Sequence, residues 1–294
     1  MTRLEGPPTT GSGGRRTRRR CTGALGFIKR MMIVKLSYQI VGLTLAGIIL
    51  AASGHIAHSD VNTLRFSVSI PSADEEARLI WNLLKNIKFY NSNNYKLSLP
   101  DSLVVAALIE KANRNELETK DWDLLLADFE KTIYKRADYL KGYEIIANSL
   151  TIANDQVRTF IAYNKKWGFH LPRQYSIRLT LYGPGGSYDS KTGNIIILTT
   201  KEGMFKRGKN PLETILHEAV HIGIEDPIVK KYGLSHWTKE RIVDQFMVHH
   251  FMDVCPEYRM QGKAEKDIDA IFNKTDVWDH LPERVAQFVS ERKQ

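Results

Sequence analysis

The chain has almost no cysteine. Only Cys21 and Cys255 occur in its 294 residues, and Cys21 lies in an N-terminal stretch that the mature protein is expected to lose. Cys255 would then have no partner, so no intramolecular disulfide is expected. A small, buried apolar role is the favoured interpretation of Cys255. A single cysteine is compatible with export from the cytoplasm but does not demonstrate export.

The chain also lacks excess charge outside its N-terminus. Its formal net charge is +9 at pH 7. Residues 1–53 contain nine basic residues and one acidic residue, so that segment carries +8 and leaves +1 for the rest of the chain. A nearly neutral body lacks the basic surface that binding to nucleic acid requires. We therefore expect no nucleic-acid partner.

A third absence concerns long hydrophobic runs. The apolar stretch at residues 40–52 has 13 residues, whereas a membrane-spanning helix needs about 20. Its length is typical of the apolar core of a signal peptide, and Ala51 and Ser53 suit cleavage before Gly54. The protein is therefore expected to be exported, and to be periplasmic, secreted or anchored to the membrane.

Two outcomes remain open for this N-terminal part. Residues 31–53 form either a cleaved signal peptide or a retained anchor, in which case residues 36–53 would attach the protein to a membrane. About 35 residues precede the apolar stretch, more than a signal peptide normally has. We therefore expect residues 1–30 to be a disordered extension, or a mis-assigned start upstream of Met31 or Met32.

The remaining chain divides by pattern into a mainly helical region, residues 54–168, and a mixed region, residues 169–294. The first begins with the alternating strand-like segment "LRFSVSI" and continues with about four amphipathic helices. The first of these helices begins with the capping-box pair Ser72 and Glu75. The second region has two strands, "QYSIRLTLY" and "NIIILTT", separated by a glycine-rich turn. The pattern predicts an α+β fold, and whether the two regions are separate domains is left open.

The segment "ETILHEAVHIGIED" carries the chemistry. Asn210 as N-cap, Pro211 at the first helical position and Glu213 at the third predict a helix start. His217 and His221 then lie four residues apart on one helix face. Two neutral imidazoles at this spacing can bind one zinc ion.

Glu218 projects beside the same face. A carboxylate there is placed to take a proton from a water molecule on the metal. The remainder of the helix is apolar, so the His-Glu-His group is expected in a mostly dry setting, where an unpaired histidine is costly.

A catalytic zinc site needs a third protein ligand. One zincin pattern places it six residues after the second histidine, but Pro227 stands there, so that spacing is rejected. Glu225 lies one further turn along the same helix and is difficult to bring to the same ion. Glu240, 19 residues after His221, is the better candidate, and Asp244 lies one turn further on the same face.

At these residues the chain resembles the gluzincin metallopeptidases, the thermolysin-like branch of the zincins. The matching residues are His217, Glu218, His221, Glu240 and Asp244, within about 30 residues of strong motif. The resemblance implies one Zn²⁺ ion bound by the two histidines and Glu240, with Asp244 hydrogen-bonded to a histidine ligand from behind. The chain departs from the family at one position, because Lys239 stands where the family has an asparagine that contacts substrate.

The resemblance further implies a zincin-like unit with a small antiparallel sheet and an edge strand that pairs with a peptide substrate. We assign that strand to Asn194, Ile195, Ile196 and Ile197. Glu218 is the expected general base. An oxyanion donor is also needed, and Tyr232 or His236, between the two metal-binding helices, could supply it. His249 and His250 fall off the ligand face.

The leading hypothesis is an exported, zinc-dependent peptidase acting on a protein or peptide. The alternative is a non-catalytic zincin-like module with a structural zinc, which binds cell-wall or envelope partners through its helical region. Glu218 favours the enzyme, because a structural site has no use for a general base. A helix with no metal at all is a third possibility, and it predicts purified protein without zinc.

Overall fold

The computed structural model describes residues 65–205, 210–262 and 265–292. All of them fall within one compact unit. The segments predicted to be an extension, a signal peptide or an anchor lie outside the described residues. Among the residues that are described, no helix is long and apolar enough to cross a membrane.

The fold is α+β, as predicted. Nine α-helices occur in the described ranges, together with short π- and 3₁₀-helical segments. The helices are α1 (Ala73–Lys85), α2 (Ile87–Ser92), α3 (Leu103–Arg114), α4 (Thr119–Asp128), α5 (Leu140–Trp167), α6 (Leu212–Ile224), α7 (His236–His250), α8 (Asp269–Phe272) and α9 (Leu281–Glu291). The π-segments are Phe129–Ile133 and Glu225–Lys230, and the 3₁₀-segment is Arg136–Tyr139.

The predicted helix starts agree closely with the structure. Ser72 caps α1 in a capping box with Glu75, as predicted. Ser235 caps α7 by accepting a hydrogen bond from the Thr238 amide at 3.1 Å. At α6 the cap is shifted by one residue. Pro211 holds the cap position, and the Asn210 side chain accepts a hydrogen bond from the Leu212 amide at 3.0 Å.

Four strands form one mixed sheet in the order β1-β2-β4-β3. They are β1 (Phe66–Ser69), β2 (Tyr175–Thr180), β3 (Ser187–Asp189) and β4 (Asn194–Leu198). The prediction of an antiparallel sheet is wrong for most of it, because β1 with β2 and β2 with β4 pair in parallel. Only β3 with β4 is antiparallel.

The assignment of the edge strand to Asn194, Ile195, Ile196 and Ile197 is also wrong. β4 lies between β2 and β3, so its backbone groups are engaged with neighbouring strands. The edge strand next to β4 is β3, three residues within the glycine-rich segment that the sequence predicts to be a turn. Because β3 is so short and carries no apolar alternation, the pattern of the sequence does not reveal it.

Two hydrophobic cores lie in the described unit. The smaller core is formed by α1 to α4 and the π-segment that follows α4. The larger core contains the sheet, α5, α6, α7 and α9. Since β1 and α5 belong to the larger core, the core does not divide at residue 168. The packing is tight where Gly223 of α6 meets Phe169, because a Cβ on Gly223 would lie 1.8 Å from the ring.

A buried carboxyl group joins the two parts of the fold. Glu76 on α1 accepts hydrogen bonds from the Thr180 hydroxyl at 2.8 Å and from the Leu181 amide at 3.3 Å. Glu76 is only 1% exposed. Burial raises the pKa of Glu76 to about 7, although hydrogen bonds from Tyr139 and Thr180 act in the opposite direction.

This raised pKa predicts that ionisation of Glu76 lowers the free energy of unfolding as the pH rises. The folded pKa of about 7 lies above the ordinary value of 4.5, so between these values the folded chain binds more protons than the unfolded chain. The free energy of unfolding should therefore fall by about 3 kcal/mol relative to a Glu76→Gln variant between pH 4 and pH 8. Urea denaturation across this range, with the exposed Glu130→Gln as control, measures the difference. A difference between wild type and Glu76→Gln that stays constant with pH would contradict the prediction.

Candidate metal centre

The two histidines lie on a helix that is buried along its whole length. Every residue of α6 is buried, because the helix contacts β3, β4, α5 and α7. A helix in this position normally carries only apolar side chains. His217, Glu218 and His221 therefore need polar partners inside the protein, and α7 supplies one of them.

That partner is Glu240, as predicted. Its two carboxylate oxygens lie 3.3 Å from His217 Nε2 and 3.3 Å from His221 Nε2, respectively. The two Nε2 atoms are 3.1 Å apart. The three residues are 4%, 2% and 6% exposed in the order His217, His221, Glu240. These donor atoms form the single group in the described part of the chain that could hold a metal ion.

The spacing of the donor atoms fits a small tetrahedral ion. Ligand atoms placed 2.0–2.1 Å from a zinc ion at tetrahedral angles are separated by about 3.3 Å. The separations of 3.1 and 3.3 Å agree with that value. Three ligand atoms occupy three tetrahedral positions, so a fourth is available for a non-protein ligand.

The hydrogen bonds behind His217 establish which ring nitrogen faces the cluster. The Tyr258 hydroxyl donates to Asp244 at 2.6 Å and lies 2.8 Å from His217 Nδ1. Because its one proton goes to Asp244, the hydroxyl accepts a hydrogen bond from Nδ1–H of His217. His217 Nε2 then carries a lone pair directed at the other donors, the form that a metal ligand requires.

Asp244 therefore reaches His217 through Tyr258, and not directly as predicted. Its other oxygen accepts a hydrogen bond from the Gln261 amide at 2.6 Å, and Asp244 itself is fully buried. The Gln261 side chain donates to Glu240. One loop, which contains Tyr258 and Gln261, thus orients both a histidine and the carboxylate of the cluster.

The electrostatics favour an ionised Glu240 carboxylate beside a neutral His221 imidazole. Burial by itself raises the pKa of Glu240, but its contacts with His217 and His221 outweigh burial and hold that pKa well below its ordinary value. Burial lowers the pKa of His221, despite the opposing effect of Glu240. Lone pairs that face one another repel unless a positive species lies among them, so this arrangement suits a cation.

His221 is held differently from His217. Its ring stacks on Tyr188 of β3, with centroids 4.9 Å apart and an interplanar angle of 7°. Its Nδ1 is buried and has no hydrogen-bond partner among the described residues. The Tyr188 hydroxyl donates to Glu225 at 2.7 Å and accepts a hydrogen bond from Lys239 Nζ at 3.0 Å. Glu225, rejected as a ligand from the sequence, is outside the cluster and serves Tyr188 instead.

The cluster opens into a cavity of about 410 Å³. Glu218 and His236 both line it, as do β3 and the loop before it. His236 is at the mouth, with its side chain 47% exposed and Nδ1 3.6 Å from Glu240 Oε1. Gly186 covers Glu218 closely, since a Cβ on this glycine would lie 2.4 Å from Glu218 Oε1.

Other predicted residues lie elsewhere. Tyr232, predicted as a possible oxyanion donor, lines a separate cavity with Thr238, Glu265 and Phe288 and is not among the residues that line the cavity of the cluster. His249 and His250 pack against Trp278 and take no part in the site, in agreement with their predicted position on α7.

A larger cavity of about 880 Å³ lies between residues 98–104 and the ends of β2 and β4. It contains neither the donor atoms nor Glu218. We assign the functional site to the smaller cavity because the metal-binding group, the buried carboxylates and the edge strand meet there.

Four residues of the site could not be identified from sequence patterns, namely Gly186, Tyr188, Tyr258 and Gln261. Gly186 had one signal, because paired glycines at 185–186 often allow close approach of a backbone. Tyr258 and Gln261 lie in an irregular loop with no motif.

Comparison of the chain with protein-family models, with curated proteins and with solved structures gives no match. The interpretation of the site therefore depends on its own geometry and chemistry.

The hydrogen bonds of Tyr258 predict that it contributes to metal affinity. Tyr258→Phe removes the hydroxyl that accepts from His217 Nδ1–H and donates to Asp244, so both groups lose this hydrogen bond. Zinc affinity should therefore fall by roughly 10- to 100-fold. Competition with a chromogenic chelator measures this affinity. Tyr232→Phe deletes the same hydroxyl outside the cavity and should bind zinc as the wild type does. Equal zinc affinity of Tyr258→Phe and Tyr232→Phe would contradict the prediction.

Proposed function

We propose that this chain is a zinc-dependent peptidase of the gluzincin type. The proposal is supported above all by one observation, that the buried group of His217, His221 and Glu240 shares a cavity with Glu218. These three side chains would hold the ion. When bound, zinc supplies Lewis acidity toward a carbonyl oxygen and lowers the pKa of a water molecule.

Glu218 is the side chain available for proton transfer. It lines the cavity, follows His217 directly and is not part of the ligand group. We assign it two tasks in sequence: to accept a proton from the attacking water, and to deliver that proton to the leaving nitrogen. A structural metal site requires neither task, so the position of Glu218 favours catalysis over a purely structural role.

β3 takes the place of β4 as the substrate-binding strand. It is an edge strand of the sheet and pairs only with β4 among the described residues. An extended peptide could add to it by backbone hydrogen bonds. Because Gly186 directly precedes β3 and covers Glu218, a peptide bound there would have its backbone beside the proton acceptor.

His236 remains the proposed donor to the developing oxyanion. It lies at the mouth of the cavity on the first turn of α7, on the same side as Glu240. A side chain that is half exposed can turn toward a bound peptide. The proposed location outside the cytoplasm rests on the sequence of residues 31–53 alone.

The proposal is tested by pairing zinc content with peptide hydrolysis. Wild type and Glu218→Gln should each bind about one zinc ion per chain, because Glu218 is not a ligand. Hydrolysis of a broad peptide library should fall by about 10²- to 10⁴-fold in Glu218→Gln, the usual contribution of a general base. The exposed Glu130→Gln is the matched control and should retain activity.

Two results would count against the peptidase. Zinc-loaded wild type that cleaves no peptide in the library would favour the non-catalytic module with a structural zinc. Purified protein that binds no zinc would exclude both hypotheses and support a metal-free helix.

Gly186 provides a second test of the same geometry. Gly186→Ala places a methyl group 2.4 Å from Glu218 Oε1, so the carboxylate must move. Hydrolysis should fall at least tenfold while zinc content is unchanged, because the atoms nearest to the added methyl group belong to Glu218 and Thr214, which are not ligands. Gly262→Ala, whose added Cβ meets no atom within 4 Å, is the control. Full activity of Gly186→Ala would show that the position of Glu218 is not critical.

A further inference from the structure

Lys239 introduces a positive charge into the proposed active-site cavity. It lies on α7 directly before Glu240 and lines the cavity together with Glu218 and His236. Its Nζ lies 3.0 Å from the Tyr188 hydroxyl and 5.3 Å from the centre of the Tyr188 ring. The ammonium group is therefore held at a defined place above the edge strand.

The ammonium group is not neutralised by a direct ion pair. Among the described residues, no carboxylate oxygen lies within 4 Å of Lys239 Nζ, and the Tyr188 hydroxyl is its one hydrogen-bond partner. A lysine ammonium has three donors. Two of them remain for a ligand, and Tyr188 holds the group in place without cancelling its charge.

The charge balance of the cavity makes Lys239 distinctive. Of the lysines and arginines in the described ranges, it alone lines this cavity, and the carboxylates that line it are Glu218 and Glu240. A divalent ion would balance the two carboxylates. Glu225, which shares the Tyr188 hydroxyl with Lys239, does not line the cavity. Inside the cavity the charge of Lys239 therefore has no counterpart, and an anionic group on a ligand would complement it.

Tyr188 links this charge to the metal site. The Tyr188 ring stacks on His221, and the Tyr188 hydroxyl holds Lys239. An anion bound to Lys239 would thus lie close to β3, along the path of a peptide added to that edge. A carboxylate of the peptide close to the bond being cleaved could reach it.

We propose that Lys239 is a specificity-determining residue that binds a carboxylate of the substrate. The inference rests on the proposed peptidase function and names its substrate class: peptides with a negative charge next to the cleaved bond. The charge is either an Asp or Glu side chain or the C-terminal carboxylate. Both offer the same chemistry to an ammonium group.

Binding to a variant that does not cleave peptides tests this inference directly. The full chain with Glu218→Gln, loaded with zinc, is titrated by calorimetry with four peptides of equal length. Two share the sequence acetyl-Ala-Ala-Phe-Leu-Ala, one ending in an amide and one in a free carboxylate. The other two end in an amide and have the sequences acetyl-Ala-Glu-Phe-Leu-Ala and acetyl-Ala-Gln-Phe-Leu-Ala. The free-acid pair probes a terminal carboxylate, and the Glu/Gln pair probes a side chain.

At least one anionic peptide should bind about tenfold more tightly than its neutral counterpart. Adding Lys239→Met should abolish this ratio, and Lys239→Arg should restore most of it. Lys231→Met, which removes one positive charge outside the cavity, should preserve the ratio. Zinc content and thermal unfolding of each variant verify that its site and fold are intact.

The outcomes separate this inference from the proposed function. Equal binding of neutral and anionic peptides, or a preference that survives Lys239→Met, would overturn the role of Lys239 even if wild type hydrolyses peptides. A preference that depends on Lys239, without hydrolysis by wild type, would instead overturn the peptidase and keep the carboxylate site. Failure of every peptide to bind would overturn both.

Discussion

A carboxylate buried between two imidazoles is the interaction on which the rest of this structure depends. Ionised Glu240 and two lone-pair-bearing nitrogens are costly to bury together unless a cation or protons lie among them. This arrangement lies against the larger core, on a helix whose other buried residues are mostly apolar. Asp244, Tyr258 and Gln261 are arranged around it, and each hydrogen bond orients a donor atom toward the same point.

The sheet contributes to the site through its least regular strand. β1, β2 and β4 supply buried apolar side chains to the larger core, where β1 packs against α5 and β4 packs against α6. β3 adds little to the core, but its backbone edge, the Tyr188 ring and the preceding Gly186 all border the cavity. Structural and proposed functional tasks are thus divided between strands of one small sheet.

The local parts of this arrangement could be predicted from the sequence, whereas the distant parts could not. The positions of His217 and His221 follow from helical periodicity, and the resemblance to a known motif identified Glu240 and Asp244. Capping residues likewise indicated where α1 and α7 begin. In contrast, the parallel pairing of β1 depends on contacts more than 100 residues apart in sequence. Tyr258 lies in a loop without periodicity, so only the folded chain shows that its hydroxyl stands between Asp244 and His217.

The contact of Gly223 with Phe169 has a consequence for how the chain can vary. An added Cβ 1.8 Å from the ring would force α6 and the aromatic ring apart by more than an ångström. His221 is only two residues away, and metal–ligand distances tolerate shifts of about 0.2 Å. Gly223 has no side chain, yet it determines how closely α6, which carries the two histidines, can pack against Phe169. Evolutionary drift at Gly223 should therefore be limited by the geometry of the donor cluster, as drift at the histidines is.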